Sequence, residues 1–332
     1  MIFLSGIKPT GEMHLGNYVS LVQPIRSFLD AGNIGYLFVA DGHALTVRPE
    51  PTQLKVDTVK LLAGLISFFK RDIENSKLYI YMQSMFPEIF EMSYLLAPFC
   101  SVGLLNRCHT YKVMKQTNVQ NCKDPDYNIN IFIKLYPLLM ASDILILDAD
   151  IVPVGLDQMQ HMEIAQEVAR VCNNFLKKNI LKVPQAHIQT EVVLPGLDGR
   201  KMSKSYKNTI QVFEDPKRLK KLINSIPTNF KNVGEAKFHN ESDVTEIYKY
   251  LATEEEFELL LDKMKSGIGW GEVKTELYNK ILDLTKDAQL IYTDLVNNPL
   301  KISSIISTGE AHVRVQISNK LHKVKEALGL WN

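Results

Sequence analysis

The chain has 332 residues, of which 45% are hydrophobic and 23% charged, with a formal net charge of +1. Such a length suggests about two domains with ample buried core, and the composition is that of an ordinary soluble globular protein. A balance so near neutrality excludes a global electrostatic field for nucleic acid, so any RNA contact must come from local basic patches.

Cys100, Cys108, Cys122 and Cys172 show no CxxC spacing. This points to reduced thiols in the cytosol rather than a disulfide framework or a zinc site. No apolar stretch approaches the ~20 residues needed to span a membrane, so no membrane partner is expected. The run Ile2-Phe3-Leu4 follows the initiator Met1 directly, which leaves no room for a leader peptide and implies a cytoplasmic location.

In chain order, candidate strands fall at residues 2–5, 36–40, 77–82 and 144–147. Between the first two, Tyr18, Leu21, Val22, Ile25, Phe28 and Leu29 recur at helical spacing, and residues 57–69 carry a second stripe at Val59, Leu62 and Ile66. Strands separated by such helices predict an α/β fold, a Rossmann-like parallel sheet covered on both faces. Periodicity is weak over residues 108–134, and no element is assigned there. Beyond about residue 206 the character becomes helical. Asp215-Pro216 reads as an N-cap followed by proline at the first helical position. Leu277, Ile281, Leu284, Ala288, Ile291 and Leu295 form a stripe that ends at Asn297-Asn298-Pro299, and a last helix over 309–330 stops at Gly329. The reading is a catalytic domain over 1–205, joined by the 309–330 helix, and a C-terminal α-helical domain over 206–308.

Two motifs carry chemistry. Pro9-Thr10-Gly11-Glu12-Met13-His14-Leu15-Gly16-Asn17 lies between the first strand and the first helix. That junction aims free backbone N–H groups and a positive dipole end at the crevice, where a phosphate can sit. Gly16 allows close approach to the backbone, His14 can donate to a phosphate oxygen, and Asn17 adds a neutral polar contact. The bland alternative is a loop histidine at an ordinary helix start. The second motif, Lys201-Met202-Ser203-Lys204-Ser205, follows Gly196-Leu197-Asp198-Gly199. Two lysines three apart beside hydroxyls and glycines suit a mobile clamp for polyphosphate. Most Lys-x-x-Lys loops are merely solvated, yet this five-residue string arises by chance in roughly one chain in ten thousand.

His14-Leu15-Gly16-Asn17 resembles the "HIGH" signature of class I aminoacyl-tRNA synthetases, with Asn17 in place of the final histidine, and residues 201–205 match their "KMSKS" signature. The resemblance implies ATP as a substrate, with Mg2+ bridging its phosphates and held by them more than by protein carboxylates. It implies no covalent nucleophile: an ionised carboxylate attacks the α-phosphorus, and catalysis is positioning and charge stabilisation. It places His14 and Asn17 at the triphosphate and Lys201 and Lys204 on the departing pyrophosphate. Lys8, Pro9, Thr10, Gly16, Lys112, Val192, Met202, Ser203 and Ser205 are further ATP contacts on this reading. Lys8 stands where many bacterial relatives carry glutamine.

Asp143 sits among apolar residues in Tyr136-Pro137-Leu138-Leu139-Met140-Ala141-Ser142-Asp143, where an unpaired carboxylate is costly. It can be a helix cap or the partner of a buried arginine. It can also accept from an indole N–H. With Val152-Pro153-Val154-Gly155-Leu156-Asp157-Gln158-Met159-Gln160-His161, the stretch is similar to the tryptophanyl-tRNA synthetase signature, with Ser142 replacing its second alanine. The resemblance implies that Asp143 reads the indole, that Tyr136, Met140, Val152 and Val154 line the ring pocket, and that Gln158 lies near the amino group. It sets Gly155, Leu156 and Asp157 at the ATP ribose. His43 borders the same pocket, unless it is an ordinary hydrogen-bonded structural histidine.

L-tryptophan and tRNA(Trp) are then the expected partners, in a homodimer, with no DNA. Residues 214–231 carry five Lys or Arg against two acids; this is a solvated helix face or an RNA footprint, and the resemblance implies an anticodon-binding role. The alternatives are a tyrosyl-tRNA synthetase, a small-molecule adenylyltransferase and a catalytically silent RNA-binding paralogue.

Overall fold

Five parallel strands, β1 (Ile2–Ile7), β2 (Ile34–Val39), β3 (Leu78–Met82), β4 (Ile151–Val154) and β5 (Gln185–Ile188), lie in the spatial order β3-β2-β1-β4-β5. The computed structural model describes residues 1–188 and 192–331. Phe3, Leu37 and Val39 point into one core, and Leu4, Tyr36 and Phe38 into another on the opposite face. This is the period-two alternation of a sheet buried on both sides. The expected Rossmann-like layer is present. Strand order reverses between β1 and β4, and a doubly wound sheet opens its ligand crevice at such a point, beyond the carboxyl ends of the strands.

Several local expectations need correction. Residues 144–147 are not a strand; they lie at the end of the Ile131–Ile146 helix, and the strand is β4. That helix is buried on all sides from Ala141 to Ile146, and a continuous apolar run does not distinguish a buried helix from a buried strand. β5 is a polar edge strand with no apolar alternation, which is why periodicity missed it. The first helical stripe is divided into Leu15–Asn17, a π-helical turn Tyr18–Val22 and the helix Gln23–Asp30. Pro24 cannot donate to the ladder, and the turn before it widens. The 57–69 stripe extends to Pro51–Glu74, capped by the Glu50 carboxylate on Thr52 N and Gln53 N. The unassigned segment contains the helix His109–Gln120.

In the second half, Pro216–Ser225, Asp243–Leu251, Glu254–Lys265 and Trp270–Asn297 are helices. Asp215 caps the first through Arg218 N at 3.0 Å. Leu277, Ile281, Ala288 and Leu295 are buried along the long helix, which packs on Pro51–Glu74. The last helix starts earlier than expected, at Leu300, and runs to Ala327; Gly329 follows in the left-handed region at φ +73°. It returns to the sheet. Val313, Ile317, Leu321 and Val324 share a core with Tyr36, Phe38 and Tyr81, and His312 stacks on Tyr79 at 4.1 Å while meeting the Tyr36 hydroxyl at 3.0 Å.

Candidate active site

A cleft of about 820 Å³ opens at the carboxyl ends of β1 and β4. At one end the chain leaves β1 and turns into the Leu15–Asn17 helix. Asn17 N and Tyr18 N donate to His14 O at 2.8 and 3.1 Å, and Asn17 Oδ1 accepts from His14 N at 3.1 Å. Asn17 therefore closes the turn with its oxygen. A Cβ on Gly16 would stand 2.8 Å from His14 Cε1, so the missing side chain is what lets the imidazole lie flat over the turn. Burial, with Lys204 nearby, lowers the His14 pKa from 6.5 to about 4. At neutral pH the ring is an uncharged single donor, and its buried Nδ1 has no hydrogen-bond partner among the described residues.

The 201–205 loop reaches the same end. Met202 N donates to Leu194 O at 2.8 Å and Gly196 N to Arg200 O at 2.7 Å, making a hairpin whose tip uses Gly199 at φ +79°. Asn208, 3% exposed, pins it from behind. Its Nδ2 reaches Asp198 Oδ1 at 2.6 Å and the carbonyls of Lys201 and Arg200 at 3.2 and 3.3 Å, while its Oδ1 accepts from Ser203 N at 2.8 Å. The Asn208 amide occupies the space that a Cβ on Gly196 would need. Lys204 Nζ donates to Thr10 O at 2.9 Å, so the two motifs touch.

The other end is apolar. Tyr136, Met140 and Asp143 are spaced i, i+4, i+7 on the Ile131–Ile146 helix and share one face, opposite Val152 and Val154 of β4. Asp143 neither caps a helix nor pairs with an arginine. Its carboxylate, 0% exposed, accepts from Gln83 Nε2 at 2.8 and 2.9 Å and lies 3.0 Å from His43 Nε2. Gln83 Oε1 in turn accepts from His43 N at 3.1 Å. Burial pushes the Asp143 pKa up, against the lowering effect of His43 and Gln83. Beside this triad His161, 3% exposed, joins Gln158 Oε1 through Nδ1 at 2.8 Å and the Tyr136 hydroxyl through Nε2 at 2.9 Å. Burial lowers its pKa to about 4, so the ring is neutral. The Gln158 oxygen only accepts, which puts the proton on Nδ1 and makes Nε2 the acceptor for Tyr136. Gln158 Nε2 donates to Asp157 Oδ2 at 2.8 Å.

Most residues singled out in the sequence meet here. Lys8, His14, Gly16, Asn17, Gly155, Leu156, Asp157, Val192, Lys201 and Met202 line the cleft with His43, Tyr136, Met140, Asp143, Val152, Val154 and Gln158. Pro9, Thr10, Ser203, Lys204 and Ser205 are not among the wall residues: Pro9 is buried, Lys204 holds the Thr10 carbonyl, and Ser203 Oγ accepts from Ser205 N. Lys112 is not brought in: it is exposed on the His109–Gln120 helix, of which Thr110 is the wall residue. Gln83, His161 and Asn208 were missed. Each is a single polar residue whose partners lie elsewhere in the chain or on a turn, and only the buried polar His161 in the matched stretch carried any signal.

Residues 1–285 match the family model of the class I tRNA synthetases for tryptophan and tyrosine. The tryptophan–tRNA ligase of Neisseria meningitidis is 36% identical over 330 residues, covering 98% of this chain and 97% of that one. That of Pseudomonas syringae is 36% identical over 331 residues, covering 98% and 73%. The crystal structure of tryptophanyl-tRNA synthetase from Campylobacter jejuni, complexed with ADP and tryptophan, superposes with a TM-score of 0.85 at 33% identity, covering 99% of this chain and 100% of that one. With the family model matching most of its length and relatives aligned end to end, this chain belongs to the tryptophanyl-tRNA synthetases of class I.

Proposed function

We propose that the cleft joins L-tryptophan to ATP and then charges tRNA(Trp). The tryptophan carboxylate attacks the α-phosphorus, the bond to the β-phosphate oxygen breaks, and pyrophosphate leaves. A hydroxyl of the 3′-terminal adenosine then takes the tryptophanyl group and AMP departs. The observation that carries this reading is that His14 and Lys201 face the same cleft as Tyr136, Met140 and Asp143.

In this proposal the neutral His14 donates its N–H to a phosphate oxygen beside Asn17, and Lys201 and Lys204 take up the charge of the departing pyrophosphate. Lys8 adds a cation between the phosphates and the amino-acid slot. Gly155, Leu156 and Asp157, at the end of β4, hold the ribose. The indole lies among Tyr136, Met140, Val152 and Val154. Its N–H joins or replaces His43 and Gln83 at the Asp143 carboxylate, whose two oxygens both accept from Gln83 Nε2 while Oδ2 also meets His43 Nε2. Gln158, held by His161 and Asp157, faces the amino group. Among the described residues no cluster of three His, Cys, Asp or Glu side chains can hold a metal, and the phosphate end is lined by lysines. That donor set fits Mg2+ arriving on the ATP phosphates as part of the substrate. Lys112 reaches the phosphates only if the His109–Gln120 helix moves inward.

We further assign residues 206–308 to tRNA anticodon binding, residues 1–205 with the last helix to catalysis, and the whole to a cytoplasmic homodimer. Tryptophan-dependent ATP–pyrophosphate exchange tests the central reading. Strong exchange with tryptophan and little with tyrosine is expected; equal exchange with tyrosine overturns the specificity.

A further inference from the structure

Phe230 is fully exposed, at 101% of its reference area, yet the segment that displays it is tightly built. Asn229 Oδ1 accepts from Trp270 Nε1 at 2.7 Å and from Lys231 N at 3.2 Å. Lys231 Nζ donates to Ala236 O at 2.9 Å and pairs with Glu241 at 2.5 Å. Below them Lys237, only 1% exposed, donates from Nζ to Asn232 O at 2.8 Å and Glu235 O at 3.0 Å, and lies 6.0 Å from the Trp270 ring centroid. Burying an ammonium on carbonyl oxygens alone is costly, and what it secures here is the shape of the 229–238 loop. The phenyl ring is thus held out into water on a rigid support.

The surface leading to this loop is cationic. On the Pro216–Ser225 helix Lys217, Lys220 and Lys221 are exposed, and none has a salt-bridge partner among the described residues; the nearby Glu214 faces Arg218 instead, at 3.5 Å. Lys220 and Asn224 are i, i+4 neighbours on one face. Asn224 O accepts from Lys274 Nζ at 2.8 Å, one turn along the long helix from Trp270, which anchors Asn229. The C-terminal end of the lysine-bearing helix and the loop that displays the ring are therefore tied to neighbouring turns of one long helix. A flat aromatic platform beside such a strip matches the chemistry of an unpaired nucleotide: a base to stack and phosphates to neutralise.

We propose that the 229–238 loop and the Pro216–Ser225 helix form an RNA-binding surface, on which Phe230 stacks against an unpaired base of the tRNA while Lys217, Lys220 and Lys221 follow the adjoining phosphates. The proposal rests on the tRNA-charging reading and assigns part of its RNA contact.

Phe230→Ala, Phe230→Trp and the double replacement Lys220→Gln with Lys221→Gln test it on the full chain with unmodified tRNA(Trp) transcript. Phe230→Ala is expected to raise the KM for tRNA about tenfold while leaving tryptophan-dependent ATP–pyrophosphate exchange within about twofold, and Phe230→Trp to keep the KM near the parent value. The lysine pair is expected to raise the KM and to lower the salt slope of tRNA binding by about 1.4. An unchanged KM in Phe230→Ala overturns the proposal. So does a shift in sedimentation with the KM unchanged, which assigns the ring to a contact between copies of the chain. Absence of exchange in the parent protein is a separate failure, of the charging reading itself.

Discussion

At the His14 end of the cleft the backbone does the holding: Gly16 clears the ring, Asn17 ties the turn, and Lys204 meets the Thr10 carbonyl. At the Asp143 end side chains hold one another, through Gln83 and His43 on the carboxylate and His161 between Tyr136 and Gln158. Each of the two turns at the His14 end is compact in sequence, one before Asn17 and one between Leu194 and Asn208, because a turn's parts are neighbours in the chain; the Lys204–Thr10 contact joins them across the fold. A side-chain network can draw on any element that the sheet brings together, and here it spans residues 43 to 161. The first kind suits a ligand common to many enzymes, the second a ligand that must be told from close analogues.

If the two ends are separable, Asp143→Asn separates them most. An amide in that position faces donors from Gln83 and His43, and kcat/KM for tryptophan is expected to fall about 100-fold or more, roughly 3 kcal/mol, with the KM for ATP nearly unchanged. Equal damage to both substrates in steady-state exchange breaks the comparison.

Asn208→Ala probes the opposite end. Losing the amide releases Ser203 N and the Lys201 carbonyl, and the rate of adenylate formation is expected to drop about 30-fold, near 2 kcal/mol, with little change in the KM for tryptophan. A merely structural role would lower the melting temperature and leave the rate per active site unaltered. Gly16→Ala sharpens the point further. The new Cβ pushes on His14, and about a tenfold loss of rate is expected; in a His14→Ala background the same substitution should cost almost nothing, a non-additivity that a double-mutant cycle reads directly.

The smallest expected effect is on stability. His14 and His161 have folded pKa values near 4, below the ordinary 6.5. A base depressed in this way contributes its full stability above about pH 6.5 and loses it as pH falls toward 4, because the unfolded chain takes up the proton first. From pH 7 to 5.5 the buried His161 alone should account for about 1 kcal/mol, measured by urea unfolding, and His161→Asn should remove that part.

The helix cap at Asp215 and the stop at Gly329 depend on neighbours within a few residues and were legible in the chain; the Glu50 cap follows the same local rule, though the stripe read from residue 57 did not reach it. The two short motifs around His14 and Lys201 were legible for the same reason. The stretch 144–147 was misread because burial on every side erases the period that separates helix from strand.

By itself, then, the sequence determined the alternation of strands and helices in the first half, the long amphipathic helices, and the two short motifs around His14 and Lys201. Only the tertiary structure decided that Gln83 and His43 hold Asp143, that Asn208 supports the lysine loop, and that Lys112 stands outside the cleft. The physical reason is range: caps, turns and periodicities are settled over three or four residues. A buried polar group instead takes its partner from whichever strand end or helix the parallel crossovers carry beside it.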